Sequence, residues 1–217
     1  MSNEVKPRRR YESRRRREQA AQTRRDILTA AGKLFRDRGY GVPMPAIARE
    51  AGVVVETMYR IFGSKSALFR AVVEALLAGG PTRAEVPVEE RPSIRAIIDE
   101  PDPRRQVALY ASTQPGIHRR AGPLLSALRD AKASDPELAR LWDELEAWRY
   151  EGQGRFVAQL AQRGGLRADR SLDEAKDVVW TLCSLAVHDL LVVERSWTAE
   201  RYEAWLAAAL THELVGD

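Results

Sequence analysis

The stretch Ile47-Ala48-Arg49-Glu50-Ala51-Gly52-Val53-Val54-Val55-Glu56-Thr57-Met58-Tyr59-Arg60-Ile61-Phe62 leaves a folding chain few options. An amphipathic turn of helix stops at Ala51-Gly52, and Val53 plugs the turn. A second short helix follows, from about Val55 to Phe62, with Met58, Ile61 and Phe62 on its core side. Thr57, Tyr59 and Arg60 are then available to face outward. Two short helices about a tight glycine turn form a helix-turn-helix, whose second helix enters the major groove of DNA.

The flanks fit that arrangement. From Gln19 to Arg38 the pattern is helical, with Ile27, Ala31, Leu34 and Phe35 on one face. Gly39 is placed to close the helix with a left-handed cap, and Tyr40 to pack back. Pro43 and Pro45 are tolerated only at the start of a helix, so the next one begins near Met44 and turns Met44, Ile47 and Ala48 inward. Ser64 suits the N-cap of a further helix to Ala78, anchored by Leu68, Phe69, Val72, Val73 and Leu76.

Charge marks the same end of the chain. Residues 1–25 hold ten basic and three acidic side chains, a balance of +7 in a protein whose formal net charge is +4. Like charges at that density repel, so residues 1–18 are expected to be a disordered basic arm. The arm either lies along DNA phosphates or is a solvated tail. No run of about 18 apolar residues exists to span a membrane, and the Arg-rich start lacks the apolar core of a secretory signal. The single cysteine, Cys183, permits no intrachain disulfide and fits a reducing cytoplasm. It is either a buried structural thiol or an exposed sensor.

Glycines and prolines between residues 79 and 92 place a domain boundary there, with an ordered connector as the alternative. Three parts result: the arm (1–18), a DNA-binding head with its linking helix (19–78) and a body (79–217). In the body the spacing predicts a short helix from Ser93 to Asp99. Another starts at Pro103, is broken or kinked at Pro115-Gly116, and resumes from Ile117 to about Ala133. A long helix follows Ser134-Asp135-Pro136 and ends at Gly164-Gly165. Ser171 and Glu174 form a capping box for a helix running to about Arg195, and the last helix runs from Ala199 to about Leu214. No strand signal appears, so the fold class is all-α.

The head resembles the TetR family of bacterial transcriptional regulators. The resemblance rests on Ile27-Leu28…Ala31…Leu34-Phe35…Gly39-Tyr40, Ile47 through Val53, Glu56-Thr57-Met58-Tyr59 and Phe62…Ser64-Lys65…Leu68. More loosely, the tail from Leu191 to Trp197, Arg201-Tyr202 and Trp205-Leu206 is similar to the helical bodies of actinobacterial members. The resemblance implies an all-helical homodimer with a small-molecule pocket in each body. Binding of an effector would change the separation of the two heads and release a pseudo-palindromic operator. Two positions depart from the family. Val54 stands where a hydroxyl residue usually caps the third helix and touches phosphate, and Val42-Pro43 stand where the second helix usually starts with hydroxyls. Both changes remove phosphate contacts and shift weight to the basic arm.

Residues near the start of a groove-seated helix face base edges, which selects Val55, Glu56 and Thr57, with Arg60 a turn later. Arg60 can pair with guanine, Thr57 with a base or phosphate, and Val55 can meet a thymine methyl. Tyr59 and Lys65 match family positions that contact phosphate. Val54, at the cap, and Arg24, in the basic segment, complete the DNA-binding candidates. The bland alternatives are a solvated charge for Glu56 and Arg60 and simple packing for Tyr59.

In the body, Asp177, Thr181, Ser184 and His188 share one face of an otherwise apolar helix and must be hydrogen-bonded to something. They meet either the polar end of an effector or a neighbouring helix or subunit. Tyr110, Trp142, Trp148 and Trp180 are candidate pocket residues with Ser184 and His188, core packing being the alternative for the aromatics. The apolar surface of Val178, Leu182, Leu185, Leu190, Val193, Trp197, Trp205, Leu206 and Leu210 suggests a four-helix bundle between two chains. No cofactor is expected, and no metal, because Cys183 and His188 fall about 140° apart on one helix. A Ser184–His188 hydrolase lacks an elbow motif or an oxyanion nest. An architectural DNA-binding protein without an effector is the remaining alternative.

Overall fold

The computed structural model describes residues 8–216, with side-chain surroundings from residue 14 onward, so expectations for residues 1–7 lie outside the described residues. The described residues form helices and no strand. The chain divides into two compact units between Ala75 and Leu76.

The first unit holds α1 (Arg8–Arg38), α2 (Met44–Glu50), α3 (Val55–Phe62) and most of α4 (Lys65–Ala78). Helix α1 begins well before Gln19, so residues 8–18, expected as a disordered arm, are helical. Arg, Glu, Gln and Ala are strong helix formers. The Arg14–Glu18 ion pair (2.7 Å) offsets some repulsion, and the Gln22–Asp26 hydrogen bond (2.8 Å) adds an i, i+4 tie along the helix. The core joins Ile27, Ala31 and Phe35 of α1 to Ile47, Met58, Leu68 and Phe69, all fully buried or nearly so. Gly39 has φ +70°, and after it Tyr40 turns back onto Phe35 (6.1 Å) and Phe69 (5.5 Å). Ser64 caps α4, its hydroxyl accepting the Ala67 amide at 3.1 Å.

The second unit contains α5 (Pro81–Ala84), α6 (Pro92–Asp99), α7 (Pro103–Ala131), α8 (Pro136–Gln162), α9 (Leu172–Leu182), α10 (Leu185–His188) and α11 (Ala199–Leu214). The passage 79–92 is an ordered connector, with α5 followed by a 3-10 turn, Val88–Glu90. Helix α7 packs against α6, α8 and α11, and α9 packs against α8 and α11. The core they enclose includes Val107, Phe156, Leu160, Val179, Tyr202 and Leu206.

One expectation for the body is narrowed and one fails. Pro115 and Pro123 lie inside α7 without ending it, so of the break or kink expected at Pro115 the break is excluded. In the turn before Pro115 the Ser112 and Thr113 hydroxyls donate to the Leu109 and Tyr110 carbonyls (2.8 and 2.7 Å). The helix expected from Ser171 to Arg195 begins as foreseen, with the Ser171–Glu174 capping box, but ends at Leu182. Ser184 then adopts an extended backbone (ψ 152°), and its hydroxyl accepts the Val187 amide at 3.2 Å to start α10. Short hydroxyl side chains compete in this way with the backbone ladder. A π-helical turn, Asp189–Glu194, follows.

Candidate functional site

In the head, the turn between α2 and α3 is a Schellman closure. Gly52, at φ +66°, donates to the Arg49 carbonyl at 3.2 Å, and Val53 donates to the Ala48 carbonyl at 3.0 Å. Helix α3 therefore leaves the turn at a fixed angle, held inside by the fully buried Met58. Val54 is its N-cap and offers no side-chain hydrogen bond. It is 64% exposed, and Tyr59 is 49% exposed. Arg60 is exposed, while Val55 and Thr57 are half-buried. One outward surface of α3 thus combines a guanidinium, a hydroxyl and apolar groups. Arg24 lies over the Phe62 ring (4.7 Å to its centroid), and Lys65 over the Tyr40 ring (4.4 Å), so both cations are held against the head's aromatic groups. Lys33 of α1 bonds Glu50 of α2 at 2.7 Å, a pair too exposed to add much stability.

In the body, the expected pocket residues separate. Trp142 is covered by the Lys132 ammonium at 4.8 Å. Trp180 is partly exposed and carries the Arg149 guanidinium at 4.9 Å. Arg149 also bonds Glu146 (2.7 Å) and the Trp180 carbonyl (2.9 Å). Trp148 is half-buried. Asp177 accepts from the Tyr150 hydroxyl at 3.2 Å, and Thr181 is exposed. The helix break removes the single face that would have joined these two to Ser184 and His188.

Tyr110 and His188 are half-buried against the core. The Tyr110 ring stacks on Phe156 at 4.0 Å, and burial pushes its phenol well above the usual range. Tyr110, Gln114 and His118 lie at i, i+4 and i+8 on α7, and Gln114 and His118 are buried. The His118 ring stacks on His188 at 4.4 Å and meets Tyr202 edge-on at 6.1 Å; His188 meets Tyr202 at 5.3 Å. Burial, then the neighbouring His188 and Arg149, lower the His118 pKa from 6.5 to about 3. His118 and Tyr202 were not singled out from the sequence. The signal for His118 is the polar i, i+4, i+8 row on α7, which a break at Pro115 would have scrambled; Tyr202, on α11, has no such local signal.

Cys183 is buried beside this cluster, and burial raises its thiol to about 12, which marks it as inert. Among the described residues no three His, Cys, Asp or Glu side chains group as metal ligands. No helix among them is long and apolar enough to cross a membrane. Two surface clefts of the body, about 740 and 550 Å3, are lined by other residues, among them Arg104 and Thr211 in one and Arg129 and Leu190 in the other. Of the nine apolar residues expected between chains, Leu185, Leu206 and Leu210 are buried in the chain's own core, and Val178, Leu182 and Trp205 pack at its edge. Leu190 (52%) and Val193 (65%) stay exposed, because the π-helical turn carries them off the core.

Residues 27–72 match the family model described as bacterial regulatory proteins, tetR family. No curated protein matches the chain. Among solved structures, a protein from Rhodococcus sp. described as a TetR-family transcriptional regulator is 16% identical, with 89% of this chain and 98% of that one covered at a TM-score of 0.67. FadR from Bacillus subtilis, solved in complex with stearoyl-CoA, is 16% identical over 87% and 97% of the two chains (TM-score 0.64). A regulator from Saccharomonospora viridis, solved with choline, is 21% identical over 89% and 98% (TM-score 0.59). These likenesses carry the fold, and the helix-turn-helix, residues 27–72, is what matches the tetR family of bacterial regulatory proteins.

Proposed function

We propose that the protein is a homodimeric repressor that binds a pseudo-palindromic operator through α3 and leaves it when a small molecule enters the body. The observation that carries this is the outward face of α3, fixed by the Gly52 closure, with Arg60 and Tyr59 exposed and Thr57 half-buried between them. Arg60 is suited to guanine O6 and N7, Thr57 to a base or phosphate, and Val54 and Val55 to thymine methyls. Arg24, Tyr59 and Lys65 supply phosphate contacts, and the Arg-rich start of α1 adds charge. The effector half of the proposal is supported by fold relatives solved with molecules as unlike as choline and stearoyl-CoA, and by the buried polar groups of this body.

Footprinting on the DNA flanking the protein's own gene tests the reading. A single protected site with half-site centres one helical turn apart, or a multiple of it, is expected. Thr57→Ala with Arg60→Ala should abolish discrimination between that site and random duplex while leaving salt-dependent, non-specific binding. Uniform coating of DNA by the wild type would favour an architectural protein instead.

A further inference from the structure

Two polar atoms in the body have no hydrogen-bond partner in the protein although both are sealed from solvent: His118 Nε2 and the Tyr202 hydroxyl. A third, Arg170 Nε, belongs to a guanidinium already tied to Glu213 at 2.6 Å. His118 is 7% exposed and Tyr202 0%. Leaving such groups unpaired is costly, and two together in one cluster indicate something that pairs with them.

The break after α9 defines what they offer. Because Ser184 takes the Val187 amide, the Cys183 carbonyl is free of that helical partner, and it engages the His118 ring. The bond to Cys183 accounts for Nδ1 as the donor, since Nε2 has no partner. On this assignment the neutral ring presents the Nε2 lone pair as an acceptor. The Tyr202 phenol, raised in pKa by burial, stays protonated and presents an O–H donor. His188, the ring face beside both, turns its Nδ1 to Asp189 at 3.3 Å, and Asp189 in turn pairs with Arg129 at 3.1 Å. Tyr110, Phe156 and Val107 belong to the surrounding apolar core.

We infer that His118 and Tyr202 form the polar end of an effector site for an uncharged molecule with a hydroxyl group on an apolar body. The ligand hydroxyl donates its hydrogen to His118 Nε2 and accepts one from Tyr202, so both orphaned atoms are satisfied by one group. A carboxylate finds no free partner here: Arg149, the cation whose charge acts on His118, is already engaged by Glu146, Gln153 and the Trp180 carbonyl. An ammonium group would meet only two neutral acceptors, His118 Nε2 and the Tyr202 oxygen, which do not replace its lost hydration. The α10 and π-helical segment is the part placed to give way on entry. This irregular stretch carries His188 and is fastened by the Arg129–Asp189 pair.

The inference rests on the effector half of the proposed function and is separable from it by experiment. The purified full-length protein, labelled with 15N at histidine, is titrated with four head groups (alcohol, carboxylate, amine and methyl) on benzyl, cyclohexylmethyl and octyl bodies. Alcohols alone should move the His118 Nε2 resonance. Tyr202→Phe and His118→Phe should each weaken alcohol binding about tenfold, while His118→Gln, which keeps an acceptor, recovers part of it. The same titrations are followed by operator binding. Preference for carboxylates or amines, equal binding by the Phe variants, or no response of His118 to any alcohol would overturn the assignment. In the last case the two atoms hold an internal water. Alcohol binding that depends on both residues but leaves DNA affinity unchanged would keep the site and reject the ligand-released repressor.

Discussion

His118 is kept neutral by its surroundings: His188 lies against its ring from α10, with Tyr202 of α11, Cys183 and Arg149 of α8 nearby. In the unfolded chain the imidazole takes a proton below about 6.5, and in the folded protein only near 3. Between those values the unfolded state binds more protons. Stability therefore falls as pH drops through that window, by at most about 1.4 kcal/mol per pH unit from this group, and is unaffected by it above 6.5. Urea unfolding at pH 7 and pH 4.5 should show a smaller acid loss for His118→Gln than for the wild type. An equal loss would assign the acid sensitivity to other groups. Gly52 makes a second prediction of this size. A Cβ there meets nothing within 4 Å, so Gly52→Ala bears only the backbone cost of φ +66°, about 1–2 kcal/mol. Thermal unfolding of the head and operator titration should both register it.

Among the helices, legibility followed the type of signal. The boundaries of α3 and α11 and the capping box of α9 were readable because caps, turn glycines and apolar spacing are local. Ser171→Ala should accordingly destabilise the body by about 1 kcal/mol in urea unfolding. The continuity of α7 through Pro115 was not readable. A proline removes one bond and strains the turn before it, and whether the helix survives depends on the neighbours packed along it. The reverse error occurred at Ser184, where residues that read as one long helix divide. Ser184→Ala removes the cap of α10 and should restore a helical bond to the Cys183 carbonyl. The expected results are a Val187 amide that stays protected from deuterium exchange, now by the Cys183 carbonyl, and a shifted His118 Nδ1 resonance. An unchanged His118 spectrum would show that the break does not set the tautomer.

For the whole molecule, the proposed dimer leans on Leu190 and Val193, the most exposed of the large apolar side chains in the body. Leu190→Asp with Val193→Asp should yield a monomer in sedimentation at micromolar concentration and lower operator affinity at least tenfold, since each head then binds one half-site alone. A dimer that survives both substitutions would place the interface elsewhere. Composition, helical spacing and the Gly52 turn were enough to specify an all-helical chain with a DNA-reading head, because each acts over a few residues. The interior of the body was settled by packing. Tyr110, Trp142, Trp148 and Trp180 look alike as letters, yet one stacks inside on Phe156 and two are covered by cations. His118 and Tyr202, 84 positions apart in the chain, become a pair only when α11 lies against α7. Burial and partnership depend on which distant segments meet, and local pattern carries no record of that.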